Sequence, residues 1–305
     1  MTERSAMAAL AGLDPLQRTA WLDAGCRARE TTRTRPVIDD PFARWMIATY
    51  GQARGYDGLH PSLRLGVIAR TWRFDQAIIR RADRARRSGT TFELWSLGTG
   101  FDARRIRLAH ALEGVVSVYR EFDLKPVLDA KNILIHASPF AGAYGPLDFV
   151  SIDWPEHLPA ALPRSEKPVL IVAEGLVDFL PPVVRLDLLD RLKSSAPRSI
   201  LLIDALSRAG TDYDNRRPER YTGDRNLRME PAPDEPALSH AEAGWVTIDR
   251  SSLFSAMRDV LVAHYPRMLA PFRNVAPPSS LRHLYELHVL EPDGGAFDRS
   301  VGGTG

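Results

Sequence analysis

Residues 92–103 constrain this chain more than any other stretch. The apolar run Phe92–Leu97 leads directly into Gly98-Thr99-Gly100, and Phe101-Asp102-Ala103 opens a helical stretch. That is the G-x-G-x-x-G/A spacing, set between a strand and a helix as the motif requires. A short run that is apolar at nearly every position predicts a strand buried on both faces, the condition of a parallel sheet covered by helices. Glycine at the turn lets the backbone come close to a ligand at the carboxyl edge of such a sheet.

The rest of the chain fits that frame. Val115–Tyr119 is β-branched and runs into Glu121-Phe122-Asp123, while Val169–Ala173 before Glu174 and Ile200–Ile203 before Asp204 are the clearest buried strands. Ile133–Ile135, Val260–Ala263 and Leu284–Leu290 are further strand candidates, and helical stretches cover Asp102–Ala111, Leu124–Lys131, Pro181–Lys193 and Asp249–Arg258. Strands alternating with helices predict an α/β fold. Before the sheet, three helices are expected: from Asp14-Pro15 to about Arg29, from Asp40-Pro41 onward, and from Pro61 to Arg87, each opened by a cap or a proline. No sustained period runs from Ser207 to Gly244, which suits a functional lid or a disordered segment. The expected organisation is one domain: a helical cap over 1–90, a core over 91–206, an inserted lid over 207–245, the rest of the core over 246–292 and a tail over 293–305.

Composition narrows the function class. Of 305 residues, 44% are apolar and 26% charged, which excludes a disordered or fibrous chain. Forty basic and 38 acidic side chains leave +2, too balanced for an electrostatic nucleic-acid binder. Lysine occurs only at 125, 131, 167 and 193, so 36 of the 40 basic residues are arginine. Coding bias in a GC-rich genome accounts for much of that, yet arginine is also the better fork for anions. The single cysteine, Cys26, excludes an intramolecular disulfide and a cysteine-built zinc site, and no metal is expected. The start of the chain has no basic region before its apolar patch, Ala6–Leu13, and no run approaches ~20 apolar residues. A soluble, cytoplasmic protein without membrane contact is expected.

The ligand at the glycine turn can be narrowed by elimination. Glu121 follows Gly100 by 21 residues, with Asp123 just after it, at the end of the next strand, where a carboxylate can accept hydrogen bonds from ribose hydroxyls; an adenosine-containing cofactor is implied. No lysine follows a glycine, so a P-loop is absent, and no tyrosine stands four residues before a lysine, so the catalytic pair of short-chain dehydrogenases is absent. Acids recur at the predicted strand ends: Asp123, Asp148, Glu174 and Asp204. Acids suit the sulfonium and ammonium of S-adenosyl-L-methionine better than a pyrophosphate.

These residues also form an ordered set of motifs. Ala28-Arg29-Glu30 through Asp40-Pro41, Arg70-Thr71 with Asp75, and Leu97-Gly98-Thr99-Gly100-Phe101-Asp102-Ala103-Arg104 with Arg107-Leu108 come first. Glu121-Phe122-Asp123-Leu124-Lys125-Pro126 with Lys131, Leu147-Asp148-Phe149 with Asp153-Trp154-Pro155 and Leu158, and Ala173-Glu174-Gly175-Leu176 with Phe179-Leu180-Pro181 follow. Over roughly Thr19 to Leu206 the chain resembles the leucine carboxyl methyltransferase family, a branch of the class I S-adenosylmethionine-dependent methyltransferases that includes bacterial O-methyltransferases of polyketide and other secondary metabolism. The resemblance implies a Rossmann-like, mostly parallel seven-stranded sheet with helices on both faces. Thr99 stands for the family's alanine, and Asp178-Phe179 for its variable residue and tyrosine.

The resemblance also assigns roles. Arg70 would pair with the cofactor's carboxylate. Gly98, Thr99 and Gly100 would pass under its methionine moiety, and Asp123 with Leu124 would hold the ribose. Asp148 and Phe149 would contact the adenine, and Glu174 with Gly175 would lie near the amino group or sulfonium. Asp102, Arg104 and Lys131 are expected to brace the loop.

No catalytic residue is legible. A carboxylate acceptor needs a cationic clamp and a hydroxyl needs a general base, for which a histidine is usual. The arginine-rich cap, with Arg27, Arg29, Arg33 and Arg35, slightly favours a carboxylate on a small metabolite. Tyr213, Arg216, Arg217 and Tyr221 could close over the substrate. His136, His157, His240, His264, His283 and His288 sit in no recognisable motif. A monomer or homodimer is expected. A cofactor-binding interaction protein without turnover, or a nicotinamide-dependent oxidoreductase on the same sheet, are the alternative readings.

Overall fold

The computed structural model describes residues 3–51, 61–152, 162–216, 226–264 and 285–293. Four helices come first: α1 (Glu3–Ala11), α2 (Thr19–Thr31), α3 (Pro41–Tyr50) and α4 (Pro61–Ser88). Asp40 caps α3 as expected, its side chain accepting from Ala43 N at 2.9 Å with Pro41 at the first position. Asp14 does not begin α2. Its carboxylate accepts from Gln17 N at 2.8 Å in a separate turn, and the helix starts at Thr19.

The core follows as β1 (Phe92–Leu97), α5 (Arg104–Arg107), α6 (Ala109–Leu112), β2 (Val116–Asp123), α7 (Lys125–Ala137), α8 (Ala141–Tyr144), β3 (Phe149–Ser151) and β4 (Val169–Ala173). A 3₁₀ turn at Val177–Phe179 leads to α9 (Pro182–Ser195), β5 (Ser199–Leu206) and α10 (Arg208–Asn215). After them come α11 (Pro236–Glu242), β6 (Trp245–Ser252), α12 (Leu253–His264) and β7 (Tyr285–Pro292).

The seven strands form one sheet in the order β3-β2-β1-β4-β5-β7-β6. Only β7 runs against the rest, antiparallel to both β5 and β6. The chain therefore leaves β1 in one direction and returns to its other side with β4, and the crevice between their carboxyl ends is where such sheets bind ligands. Every residue of β1 and β4 is buried, because helices cover both faces. Trp95, Leu97, Ile171 and Ile203 pack with Leu188 and Leu192 of α9 on one face. Phe92, Leu94, Val172 and Leu202 pack with Ile78 and Ala82 of α4 and Val260 of α12 on the other. The cap helices α1, α2 and α3 share a third cluster with Phe101 and α7.

Two strand expectations fail for one reason. Ile133–Ile135 lies in α7 and Val260–Ala263 in α12, where Val127, Ala130, Leu134 and Ala256, Val260 recur at helical spacing and form the buried stripe. The helix expected over Asp249–Arg258 begins only at Leu253, since residues 245–252 pair with β7 as β6. Residues 207–244, expected to lack a period, carry α10 and α11. Tyr221, Arg217, His157, His283, Leu158, Asp153-Trp154-Pro155 and the tail from Gly294 lie outside the described residues. No helix among the described residues is long and apolar enough to cross a membrane.

Candidate functional site

A cavity of about 470 Å³ opens at the carboxyl ends of β1, β2 and β4. Its floor is the glycine turn. Gly98 and Gly100 have φ of 59° and 49°, a left-handed conformation that side chains disfavour. A β-carbon at Gly100 would stand 2.8 Å from Ala20 Cβ of α2, so the cap presses on the turn from above.

Asp123 ends β2 beside this floor. Its Oδ2 accepts from Gly100 N at 2.6 Å and its Oδ1 from Leu124 N at 2.7 Å. Burial raises its carboxyl, those two donors oppose the rise, and the balance leaves it at about 6. Each oxygen retains a lone pair for a further donor. Lys131 donates to Thr99 Oγ1 at 3.0 Å and pairs with Glu121 at 2.7 Å beneath the turn, so it braces the loop. Glu121, only 1% exposed, also accepts from Tyr144.

Behind the glycine turn lies a network of arginines and acids. Arg104 pairs with Asp75 and Asp102, each at 2.7 Å, and with Glu174. Arg107 pairs with Asp75 at 2.7 Å, Asp102 at 2.8 Å and Asp40 at 3.1 Å. Arg27 reaches Asp40 at 2.9 Å and donates to the Phe101 carbonyl at 3.2 Å. Burial would raise the Asp102 and Glu174 carboxyls. Their arginines reverse this, holding Glu174 at about 2 and Asp102 well below the usual carboxylate range. Asp75 was legible only as a motif letter and Asp40 only as a motif letter and a helix start; their pairing with arginines needs α3, α4 and α5 to meet in space.

Arg70 projects from α4 into the cavity. It donates to Glu174 at 3.1 Å, to the Tyr285 hydroxyl at 3.1 Å and to Asp23 at 2.5 Å, with Asp204 3.5 Å away. Tyr285 in turn donates to Asp204. Asp23 and Tyr285 gave no signal in the sequence, because one lies on a cap helix and the other on the last strand. Asp23 is the more exposed partner, its side chain 35% exposed against 11% for Glu174.

The structure thus brings Arg27, Arg70, Gly98, Thr99, Gly100, Asp123, Leu124, Glu174, Gly175 and Tyr213 to one cavity wall. It does not bring Asp148, Phe149 or Arg33. Asp148 precedes β3 rather than ending it, and Arg120 on β2 holds it at 2.8 Å, below the carboxyl edge. Phe149 opens β3 and packs against the cap cluster. Arg33 is exposed and pairs loosely with Glu30, one turn back on α2. The other arginines singled out in the cap are not gathered at the cavity as a group. Arg27 is bound within the network, and Arg29 and Arg35 are exposed. Of the described histidines none lines the cavity: His136 is exposed, and His240 and His288 meet edge to face in the interior.

Comparison with known proteins gives this geometry a context. The sequence pattern of the leucine carboxyl methyltransferase family matches residues 20–193. A protein of Mycobacterium tuberculosis, named as a candidate S-adenosyl-L-methionine-dependent methyltransferase, is 29% identical over 288 residues, covering 86% of this chain and 89% of that protein. A relative of the same description in Mycobacterium marinum is 34% identical over 220 residues, covering 64% of this chain and 66% of its own. Among solved structures, a DUF574 family protein of Streptomyces avermitilis has 17% identity and a TM-score of 0.51, covering 88% of this chain and 96% of its own. A candidate methyltransferase of Thermobifida fusca has 14% identity and a TM-score of 0.50, covering 90% and 94%. Both likenesses are of fold: the class I methyltransferase sheet.

Proposed function

The chain belongs to the leucine carboxyl methyltransferase family, and we propose that it binds S-adenosyl-L-methionine and methylates an oxygen of a small acceptor, such as a polyketide-type secondary metabolite. One observation carries this reading: the glycine turn, Asp123 and Arg70 face a single cavity at the carboxyl edge where β1 and β4 part.

The residues fit the cofactor. Gly98 and Gly100 leave the floor without side chains, and each Asp123 oxygen can accept one ribose hydroxyl beyond its backbone donor. Arg70 would hold the cofactor carboxylate, which would take the place of the half-exposed Asp23 on that guanidinium. Glu174 already serves Arg70, Arg104 and Thr71, so it orients Arg70 rather than binding the amino group. When bound, the cofactor supplies an electrophilic methyl group on a sulfonium. The chain's part is to align an acceptor with that methyl and exclude water, an orientation effect that can supply ~7–11 kcal/mol. Leu180, Leu206, Met229, Phe254 and Met257 give the rest of the wall an apolar surface for the acceptor's body.

Calorimetric titration of S-adenosyl-L-methionine into wild type and Asp123→Ala tests the cofactor half. Losing a charge-assisted pair of ribose contacts should weaken binding by at least ~10-fold. Undiminished binding in the variant would remove Asp123 from the site. Transfer of a labelled methyl group into candidate acceptors tests the reaction.

A further inference from the structure

We propose that Asp178 is the catalytic proton acceptor of this site, and that the methyl acceptor is a neutral alcohol or phenol rather than a carboxylic acid. The inference rests on the methyltransferase reading above and narrows its substrate class.

Asp178 sits in the 3₁₀ turn that follows β4 and Gly175, and it lines the same cavity as the glycine turn, Asp123 and Arg70. It is 3% exposed. Its Oδ1 accepts from Leu206 N at 3.0 Å, and its main-chain carbonyl accepts from Glu230 N at 2.8 Å. The turn is therefore fixed to the end of β5 and to the segment carrying Met229, which also lines the cavity. No cation among the described residues forms an ion pair with the carboxylate, and Oδ2 is left for a ligand. The other acids of the wall, Asp214 on α10 among them, have partners of their own. Asp23, Asp102 and Glu174 are ion-paired, and Asp123 holds two backbone N–H groups.

The chemistry of the wall points the same way. A hydroxyl acceptor needs a base, and no described histidine lines the cavity. Of the two tyrosines there, Tyr285 donates to Asp204 and burial pushes its hydroxyl far up, while Tyr213 has an exposed ring. Burial also raises the Asp178 carboxyl to about 6; Arg185 on α9 and Arg70 on α4 oppose the rise and Asp214 on α10 adds to it. Asp204 on β5 and Tyr285 on β7 feel the same charge. A base of that strength is ionised at neutral pH and poised to take a proton. Among the described lining residues six carboxylates face three guanidiniums, all three already paired. A carboxylate acceptor would meet a net negative wall; a neutral hydroxyl would not.

In the step itself the acceptor's O–H proton passes to Asp178 Oδ2 as the oxygen bonds to the methyl carbon. The carbon–sulfur bond breaks with its electron pair remaining on sulfur. The products are a methyl ether, the neutral thioether S-adenosylhomocysteine, and a protonated Asp178 that returns its proton to water.

Matched probes test this: 2-naphthol and 2-naphthoate, titrated into the full chain with S-adenosylhomocysteine bound, for wild type, Asp178→Asn and Asp178→Glu. Naphthol should bind wild type more tightly than naphthoate, and Asp178→Asn should narrow or reverse that preference by removing the negative charge. With S-adenosyl-L-methionine, methyl transfer to naphthol should fall by at least ~100-fold in Asp178→Asn and be partly restored in Asp178→Glu. Its kcat/KM in wild type should decline as pH falls below about 6, an acid limb absent from Asp178→Asn. Unchanged S-adenosylhomocysteine affinity would show both variants folded. Wild type preferring and methylating naphthoate, or Asp178→Asn matching the wild-type rate, would overturn the role of Asp178 alone. Wild type that binds no S-adenosyl-L-methionine would instead overturn the methyltransferase reading beneath it.

Discussion

Gly100 shows what a single residue decides here. Two separate obstacles exclude a side chain there: the left-handed φ of 49°, and Ala20 Cβ at 2.8 Å from the position a β-carbon would take. Gly100→Ala should cost ~1–3 kcal/mol in urea denaturation, the left-handed conformation alone accounting for ~1–2 kcal/mol. Adding Ala20→Gly should recover only part of that, because it relieves the contact and leaves the backbone strain. Gly98→Ala should be somewhat milder, since its nearest neighbours, Leu176 Cδ1 at 3.0 Å and Cβ at 3.2 Å, crowd it less than Ala20 crowds Gly100. The glycine spacing made this turn readable from the sequence, and so did the carboxylate of Asp123 one strand later. Asp178 was visible only as a departure from a motif, and nothing local showed that it would be buried beside Leu206.

Elements matter through what they bring together. α4 carries Arg70, Thr71 and Asp75, α5 carries Arg104 and Arg107, and the end of β4 supplies Glu174, so one ionic network ties two helices to the sheet edge. Removing one member leaves charges buried without compensation, which is costlier than the pair was stabilising. Arg104→Met should therefore destabilise by ~3–5 kcal/mol at neutral pH in chemical denaturation. The sign of the pH dependence follows from Glu174. Its carboxyl is held at about 2, so its contribution is full above the ordinary value of 4.5 and lost as pH falls toward 2. In Arg104→Met that depression shrinks, and the gap between variant and wild type should close as pH is lowered through the same window. A gap that widens in acid would contradict this account. β3 marks the opposite case. At three residues it is too short to signal itself in sequence, and Asp148 precedes it rather than ending it.

For the whole molecule, the cap and the sheet share their cores. α4 packs on β1, β4 and β5, and α1, α2 and α3 pack on Phe101 and α7. Asp23, Arg27 and Asp40 of the cap also join the ionic network at the sheet edge. Residues 1–90 should not behave as a separate unit. Calorimetry should show one transition with the calorimetric and van't Hoff enthalpies in agreement. A chain begun at residue 91 would strip the α4 side of the cover from Phe92, Leu94, Leu170 and Val172 and should show no cooperative melt. Two resolved transitions in the full chain would mean the cap folds on its own.

The sequence alone determined the class of fold, the glycine turn, the burial of β1 and β4, and the cap of α3. These are local matters, set by periodicity, by glycine's freedom and by spacing within about twenty residues. Tertiary structure decided the rest. It placed Asp148 below the carboxyl edge, put the apolar stripes of 133–135 and 260–263 on helices, and tied Arg27 and Arg70 to acids from distant elements. It also left Asp178 buried and, among the described residues, without an ion pair. Whether a charged side chain is free or paired depends on which elements meet around it, and that is fixed only when the whole sheet and its cap pack together.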